Sequence, residues 1–217
     1  HLAAFAGALL AITIVFRVAT AAGRALDVRV LLLAGVVTGA FFAAVISFIL
    51  AVSDARTVRS AVLWMMGSTA GADWQTVAVA AAYSLPTALV IIALARPLNT
   101  LAVGEETALY LGTDVARVKR IAVAAAALVT AAGVAVAGVI GFDGLVVPHA
   151  LRLVVGSDHR LLLPLSFLVG AAFLTTADTL ARVILAPTEI PIGVLTALIG
   201  GPLFCYIFRK TQLQRWR

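Results

Sequence analysis

The sequence predicts an all-α, polytopic membrane helix bundle, and three observations carry that prediction. Of its 217 residues 63% are apolar and only 12% are charged, where a soluble domain carries roughly 25%. That leaves too little polar surface to cover one water-soluble core. Uncharged runs recur at about the 20 residues a helix needs to cross the hydrocarbon layer. The basic residues collect in clusters between alternate runs, as they do in cytoplasmic loops.

Taken in order, Leu2–Phe16 is short for a span and fits a tilted or truncated first helix, while Val30–Val52 is uncharged and long enough. Asp54–Asp73 is an outside connection whose centre, "AVLWMMGSTAGADW", is too short to cross. Its Trp64 and Trp74 suit either a helix lying at the headgroup level or ordinary loop packing. Thr76–Ala95 and Ile121–Phe142 are full spans, Leu161–Ala177 can continue to about Ala181, and Ile190–Phe208 qualifies despite Pro191 and Pro202. The stretch around Gly144–Val155 is short and contains His149 and Arg152, so hydropathy alone would make it re-entrant or interfacial.

Charge parity decides that stretch. The loop holding Arg17, Arg24 and Arg29 is one basic cluster, and Arg96, Arg117, Lys119 and Arg120 flank a second. Arg152 and Arg160 flank a third, and Arg209, Lys210, Arg215 and Arg217 form the tail. With these inside, thirteen of the sixteen Lys and Arg residues are cytoplasmic, leaving Arg56, Arg59 and Arg182 outside. The arrangement works only if residues 140–155 cross the membrane, which gives seven spans and a cytoplasmic tail at 209–217. Residues 1–217 then form a single transmembrane domain with a cytoplasmic loop at 96–120. Small residues, as in "AAAALVTAAGVAVAG" (124–138), let helices approach closely in lipid.

The chain starts at His1 with no charged segment before its first apolar run, and reads as a fragment, not a start left by signal-peptide removal. Its lone Cys205 allows no internal disulfide and reads as a small apolar packing residue. The net charge of +6 belongs to the loops and does not point to nucleic acid. No Gly-x-x-x-x-Gly-Lys-Ser/Thr phosphate loop is present, so the chain does not bind ATP by that device. His1, His149 and His159 are too scattered for a metal site, and no nucleophile–base pair stands out. No catalytic residue, cofactor or metal is therefore expected.

The loop "RPLNTLAVGEETALYLGTDVARVKR" (96–120) is the longest polar stretch. It predicts a short helix over Glu105–Leu111, a stop at Gly112, and a second helix capped by Asp114. Such a pair of helices lying across the cytoplasmic face is either a docking surface for a soluble partner or a structured loop without one.

Three runs carry a resemblance: "GEETALYLG", "GFDGLVVPHALRLVVGSDHRLLLPLS" and "ADTLARVILAPTEIPIGVLTALIGGPLFCYIFRK". In order, spacing and length they resemble the permease subunit of ABC importers for ferric siderophores, haem and cobalamin. The resemblance runs from about Leu31 to the C-terminus. It implies a ten-helix permease, of which this sequence holds the last seven helices. It further implies a second permease subunit, as a homodimer, two cytoplasmic ATPase subunits, and a periplasmic or lipid-anchored substrate-binding protein. The location implied is the bacterial inner membrane.

The loop matching the family's ATPase-coupling element is Leu101–Val118, where Gly104, Glu105, Ala108, Leu111 and Gly112 fit the pattern. Glu105, Glu106, Leu111, Gly112 and Thr113 are the expected ATPase contacts, and "GSDHR" (156–160) is a candidate addition to that surface. The stretch "GFDGLVVPH" (141–149) would join two spans near the outer face. Gly141 and Gly144 are expected to permit its turn, and Pro148 to bend the helix that follows. Asp143 stands where family members often carry a small apolar residue. It reads as a harmless surface acid or as an acid tuning cargo preference. His149 reads as a hydrogen-bonded packing residue.

Arg182, at the outer end of a span, matches an arginine that faces an acid on the binding protein, with Arg56 and Arg59 as assistants. Its alternative is snorkelling to the interface. Asp178 is expected to pair with a neighbouring helix. Ferric siderophore leads haem and cobalamin as the expected cargo. An ion-gradient-driven secondary transporter and a membrane scaffold without transport are the rival classes. The first would need inverted repeats and ionisable residues within the membrane, and only Asp178 answers that description.

Overall fold

The computed structural model describes residues 2–21, 28–186 and 188–215. Arg24 in the first basic loop and Arg217 in the tail lie outside them. All regular structure among the described residues is helical, in the order α1 (Leu2–Ala21), α2 (Val28–Ala51), α3 (Ala55–Met65), α4 (Trp74–Ala93), α5 (Ala95–Val103), α6 (Glu105–Tyr110), α7 (Val115–Ala137), α8 (Asp143–Val155), α9 (His159–Val183) and α10 (Ile192–Arg215).

Among the described residues four segments are long and apolar enough to cross a membrane: Arg29–Ala51, Trp74–Ala93, Val115–Ala137 and His159–Val183. The first and last expected spans appear as shorter apolar stretches, Leu9–Ala19 and Ile192–Ile207, inside α1 and α10. The remaining expected span, at 140–155, is not one continuous helix. Helix α8 has 13 residues, about 20 Å at 1.5 Å per residue, against ~30 Å of hydrocarbon.

The chain divides into two compact units, His1–Val62 with Gln75–Val136, and Leu63–Trp74 with Ala137–Arg217. In the first unit α1 packs on α2, and α5 on α6. Alanine dominates the buried positions of α7, at Ala125, Ala131, Ala132 and Ala135, as close helix packing in lipid requires. In the second unit α8, α9 and α10 pack on one another, and Ala177 and Ala181 of α9 form a core cluster with Ile192 and Leu195 of α10, with Ile140, Leu174 and Ile190 against it.

Between α7 and α8, residues 138–141 have no helical structure. They do not close over the end of the second unit. Gly138 lies against Gly67 and the Trp64 carbonyl, and the Val139 carbonyl lies against Gly193, one residue into α10. Phe142 lies against Gly200, eight residues into α10 from Ile192, about 12 Å further along that helix. The chain therefore runs along the side of α10 before α8 begins, and 138–155 is a broken segment, part irregular and part helix. Irregular backbone is stabilised where protein covers it, and α10 lies against this segment. Of the stretch "GFDGLVVPH", residues 141–142 therefore belong to the non-helical segment beside α10, and 143–149 to the first half of α8.

The reason given for its two glycines is corrected. The residue in the left-handed region is Phe142, at φ 67°, and it immediately precedes α8. Neither Gly141 nor Gly144 has positive φ, and a Cβ on either would meet nothing within 4 Å. Pro148 lies inside α8 as expected. Cys205 is exposed on α10, not packed in a core.

Candidate functional sites: the 96–120 loop and the Arg182 cluster

The 96–120 loop folds as α5, α6 and the start of α7, all within the first unit. Its two glycines take backbone conformations that side chains resist. Gly104, at φ 137°, separates α5 from α6, and Gly112, at φ 80°, ends the turn after α6. Gly112 N–H donates to the Leu109 carbonyl at 2.9 Å, and Thr113 N–H donates to the Ala108 carbonyl at 2.9 Å. Asp114 caps α7, its Oδ1 accepting from Arg117 N–H at 3.0 Å. Glu105 and Lys119 join the first turn of α6 to α7 through a 2.5 Å ion pair.

These bonds fix which side chains face inward. Ala108 is fully buried, while Glu105, Glu106, Leu111 and Gly112 are exposed and Thr113 is half-buried. Beside them stands a residue the sequence reading passed over. Tyr110 is 92% exposed, flanked by Leu109 at 59% and Leu111 at 67%. Apolar exposure on a membrane span is ordinary, because lipid covers it. Three consecutive apolar side chains exposed on a six-residue helix and turn between such segments are instead a candidate interaction surface. The available signal was the aromatic residue inside an otherwise polar loop.

Beyond α2, Asp54 opens α3. Its Oδ1 accepts from the Thr57 hydroxyl at 2.6 Å, and its Oδ2 accepts from Arg56 and Thr57 N–H at 3.0 and 3.1 Å. The Thr57 hydroxyl, more than any other neighbour, holds the Asp54 carboxyl below its usual range. Arg56 and Arg59 are exposed on α3, and so is Trp64, with Trp74 opening α4 at 88% exposure.

In the second unit Arg182 occupies the last turn of α9 and neither snorkels alone nor stands free. Its Nε donates to Asp178 Oδ2 at 2.9 Å, one turn back on the same helix. Its Nη2 donates to Asp178 Oδ1 and to Thr69 Oγ1, each at 3.3 Å. The Thr69 hydroxyl donates to Asp178 Oδ1 at 2.6 Å. Asp178 therefore pairs within its own helix and with the 66–73 connection, not with a neighbouring helix as expected.

Asp143 lies in the first turn of α8 with its carboxylate 3.8 Å from where a Cβ on Gly170 would stand. Its Oδ1 is buried without a hydrogen-bond partner among the described residues, and Ser166 Oγ on α9 is in the same state. A buried, unpaired polar group costs about 1–3 kcal/mol. Asp143→Val removes that cost in nearly the same volume, so we expect it to raise stability by roughly that amount. The apparent melting temperature of the detergent-solubilised full-length subunit checks this; a lower melting temperature would show that the carboxylate is compensated. His149 Nδ1 bonds the Leu145 carbonyl at 2.8 Å, and its ring packs edge-on against Phe204 at 5.5 Å. Among the described residues no group of His, Cys, Asp and Glu is arranged to hold a metal ion.

An all-helical apolar chain, a broken segment beside α10, and a capped helical loop with an exposed apolar tip together invite comparison with known transporters. The profile of the FecCD transport family matches residues 1–210. The chain belongs to this family. It is 49% identical over 98% of its length to the cobalamin import system permease protein BtuC of Halobacterium salinarum, covering 56% of that protein. It is 44% identical over 98% of its length to the hemin transport system permease protein HmuU of Yersinia pestis, covering 63% of it. Among solved structures, a metal-chelate-type ABC transporter in an inward-facing conformation superposes with a TM-score of 0.81 at 34% identity, over 85% of this chain and 60% of that one. The chain thus spans between half and two-thirds of these relatives' lengths. It is an integral membrane protein of the FecCD family, and the relatives are permease proteins.

Proposed function

We propose that this chain is a membrane-spanning part of the permease subunit of a binding-protein-dependent ABC importer. The permease breaks and forms no covalent bond itself. It provides a gated path, and separate ATPase subunits supply the energy on the cytoplasmic side. The observation that carries the reading is the α5–α6–α7 coupling loop. Its glycine turns and caps hold an exposed Leu109–Tyr110–Leu111 tip in fixed orientation, as a partner that pushes on the spans requires. Energy passes to the spans only if the loop binds the ATPase differently in two conformations.

The functional unit is two copies of the permease, two ATPases on the coupling loops, and a substrate-binding protein at the opposite face. There Arg182 is the docking residue, with Arg56 and Arg59 assisting. The tail is cytoplasmic, and the membrane is the bacterial inner, or cytoplasmic, membrane. The cargo is a metal chelate. Relatives named for cobalamin and hemin, at 49% and 44% identity, favour a tetrapyrrole chelate and move ferric siderophore behind it.

The test uses the full-length subunit with its ATPase and binding protein in proteoliposomes. We expect uptake of radiolabelled cobalamin that requires both ATP and the binding protein. Uptake of hemin or ferric siderophore in its place would keep the mechanism and change the cargo. Uptake that ignores ATP and follows an ion gradient would overturn the importer reading.

A further inference from the structure

We propose that Asp178 and Thr69 are positioning residues: they hold the Arg182 guanidinium by one edge and leave its other edge open for a carboxylate of the substrate-binding protein. The inference rests on the reading of Arg182 as a docking residue.

A guanidinium is planar and carries five N–H donors, and it meets carboxylates two bonds at a time. In Arg182 the edge formed by Nε and Nη2 is taken by both oxygens of Asp178. Thr69 completes the bracket. Its hydroxyl hydrogen goes to Asp178 Oδ1 at 2.6 Å, and its oxygen lone pair receives Nη2 at 3.3 Å. Nη1 takes no hydrogen bond among the described residues, and the side chain is 41% exposed. The edge shared by Nη1 and the second hydrogen of Nη2 therefore remains available, and the held edge fixes its direction.

Thr69 is itself fixed. The two residues before it are anchored, Ser68 N–H donating to the Ala137 carbonyl at 2.8 Å and the Gly67 carbonyl accepting from Ile192 N–H at 3.2 Å, and its own carbonyl accepts from Ala72 N–H at 3.0 Å. An arginine on the last turn of a helix would otherwise sample many rotamers and lose that freedom on docking. Holding it beforehand removes part of that cost.

The alternative is that Arg182 acts as a plain positive charge. Asp178 and the electrostatically close Glu189 then only weaken it. The two accounts predict opposite signs for one substitution. Removing the Asp178 charge while keeping its shape raises the local net charge by about one unit, which strengthens long-range attraction to an acid. It also loosens the hold on the guanidinium.

The experiment measures binding-protein affinity for the full-length permease–ATPase complex in nanodiscs at two ionic strengths. We expect Asp178→Asn and Thr69→Val each to weaken binding by about 3–10-fold, the range set by losing preorganisation of one long side chain. Thr69→Ser should restore it, because the hydroxyl does the work. Arg182→Lys should bind as poorly as Arg182→Ala, because an ammonium has no second edge. Tighter or unchanged binding in Asp178→Asn, with Arg182→Ala still weakened, overturns the positioning role and leaves Arg182 as a simple charge. Unchanged binding in Arg182→Ala overturns the docking reading itself. Thr69→Val guards against a folding artefact, since it deletes one hydroxyl and leaves the ion pair.

Discussion

Gly193→Ala is expected to destabilise the protein by roughly 2–4 kcal/mol, the upper part of the range for inserting an atom into a packed site. Three backbone segments of the second unit meet at this point. Gly193 N–H donates to the Met66 carbonyl at 3.0 Å, and Ser68 N–H to the Ala137 carbonyl at 2.8 Å. The first amides of α10 have no partners within their own helix, and the carbonyls of Met66 and Gly67 supply them. The approach is so close that a Cβ on Gly193 would run into the Met66 carbonyl oxygen and stand 2.9 Å from that of Val139. Both obstacles are backbone, which cannot swing away as a side-chain tip can. Gly138→Ala should behave alike, because a Cβ there meets the Trp64 carbonyl and φ is 73°. Gly133→Ala is the control. It lies exposed within α7 with nothing within 4 Å of an added Cβ, and alanine favours a helix interior by about 0.8–1.0 kcal/mol over glycine. Melting of the three full-length variants in detergent decides it: if Gly193→Ala melts with Gly133→Ala, the three segments are not locked as described.

That junction was not legible in the sequence, and its physics says why. A glycine required by positive φ or a local turn leaves a local signal, and Gly112, followed by the capping Asp114, gave one. A glycine required because two distant segments press on it looks like any other glycine in a small-residue chain. The same holds for Thr69 and Asp178, whose bond joins residues 109 apart in sequence. The long uncharged runs were legible because hydrocarbon thickness sets their length, and α2, α4, α7 and α9 all followed. Residues 138–155 were harder. Hydropathy windows assume a continuous helix, and part of this stretch is not helical. Phe142 hid the turn completely, since an aromatic residue at positive φ is what sequence rules argue against. Asp143 was visible as an oddity, but whether it lay at the surface or among helices depended on the depth at which α8 begins.

In the 96–120 loop the largest loss of transport is expected from Tyr110→Ala, the most exposed of its large apolar side chains. At protein interfaces a few exposed aromatic side chains carry most of the binding energy, each about 2 kcal/mol or more. That is about 30-fold in affinity for the ATPase, and uptake should fall with it. Leu111→Glu should act in the same direction by placing a charge in the apolar contact. Glu105→Gln should do much less. Its carboxylate is well exposed, with a side-chain exposure of 57%, and an exposed ion pair is worth at most about 1 kcal/mol. Lys119, moreover, has further partners. Gly112→Ala separates shape from chemistry: it leaves the Tyr110 ring intact but strains the φ of 80° that ends the turn, so it should lower coupling without removing a contact. The readouts are co-purification of the ATPase and the stimulation of its ATP hydrolysis by binding protein and cargo. If Tyr110→Ala keeps both at wild-type level while Glu105→Gln loses them, the surface works through charge and not through its apolar tip. If the ATPase stays bound in Tyr110→Ala but hydrolysis no longer responds to cargo, the ring transmits the conformational change without contributing to affinity, and the tip is a lever, not an anchor.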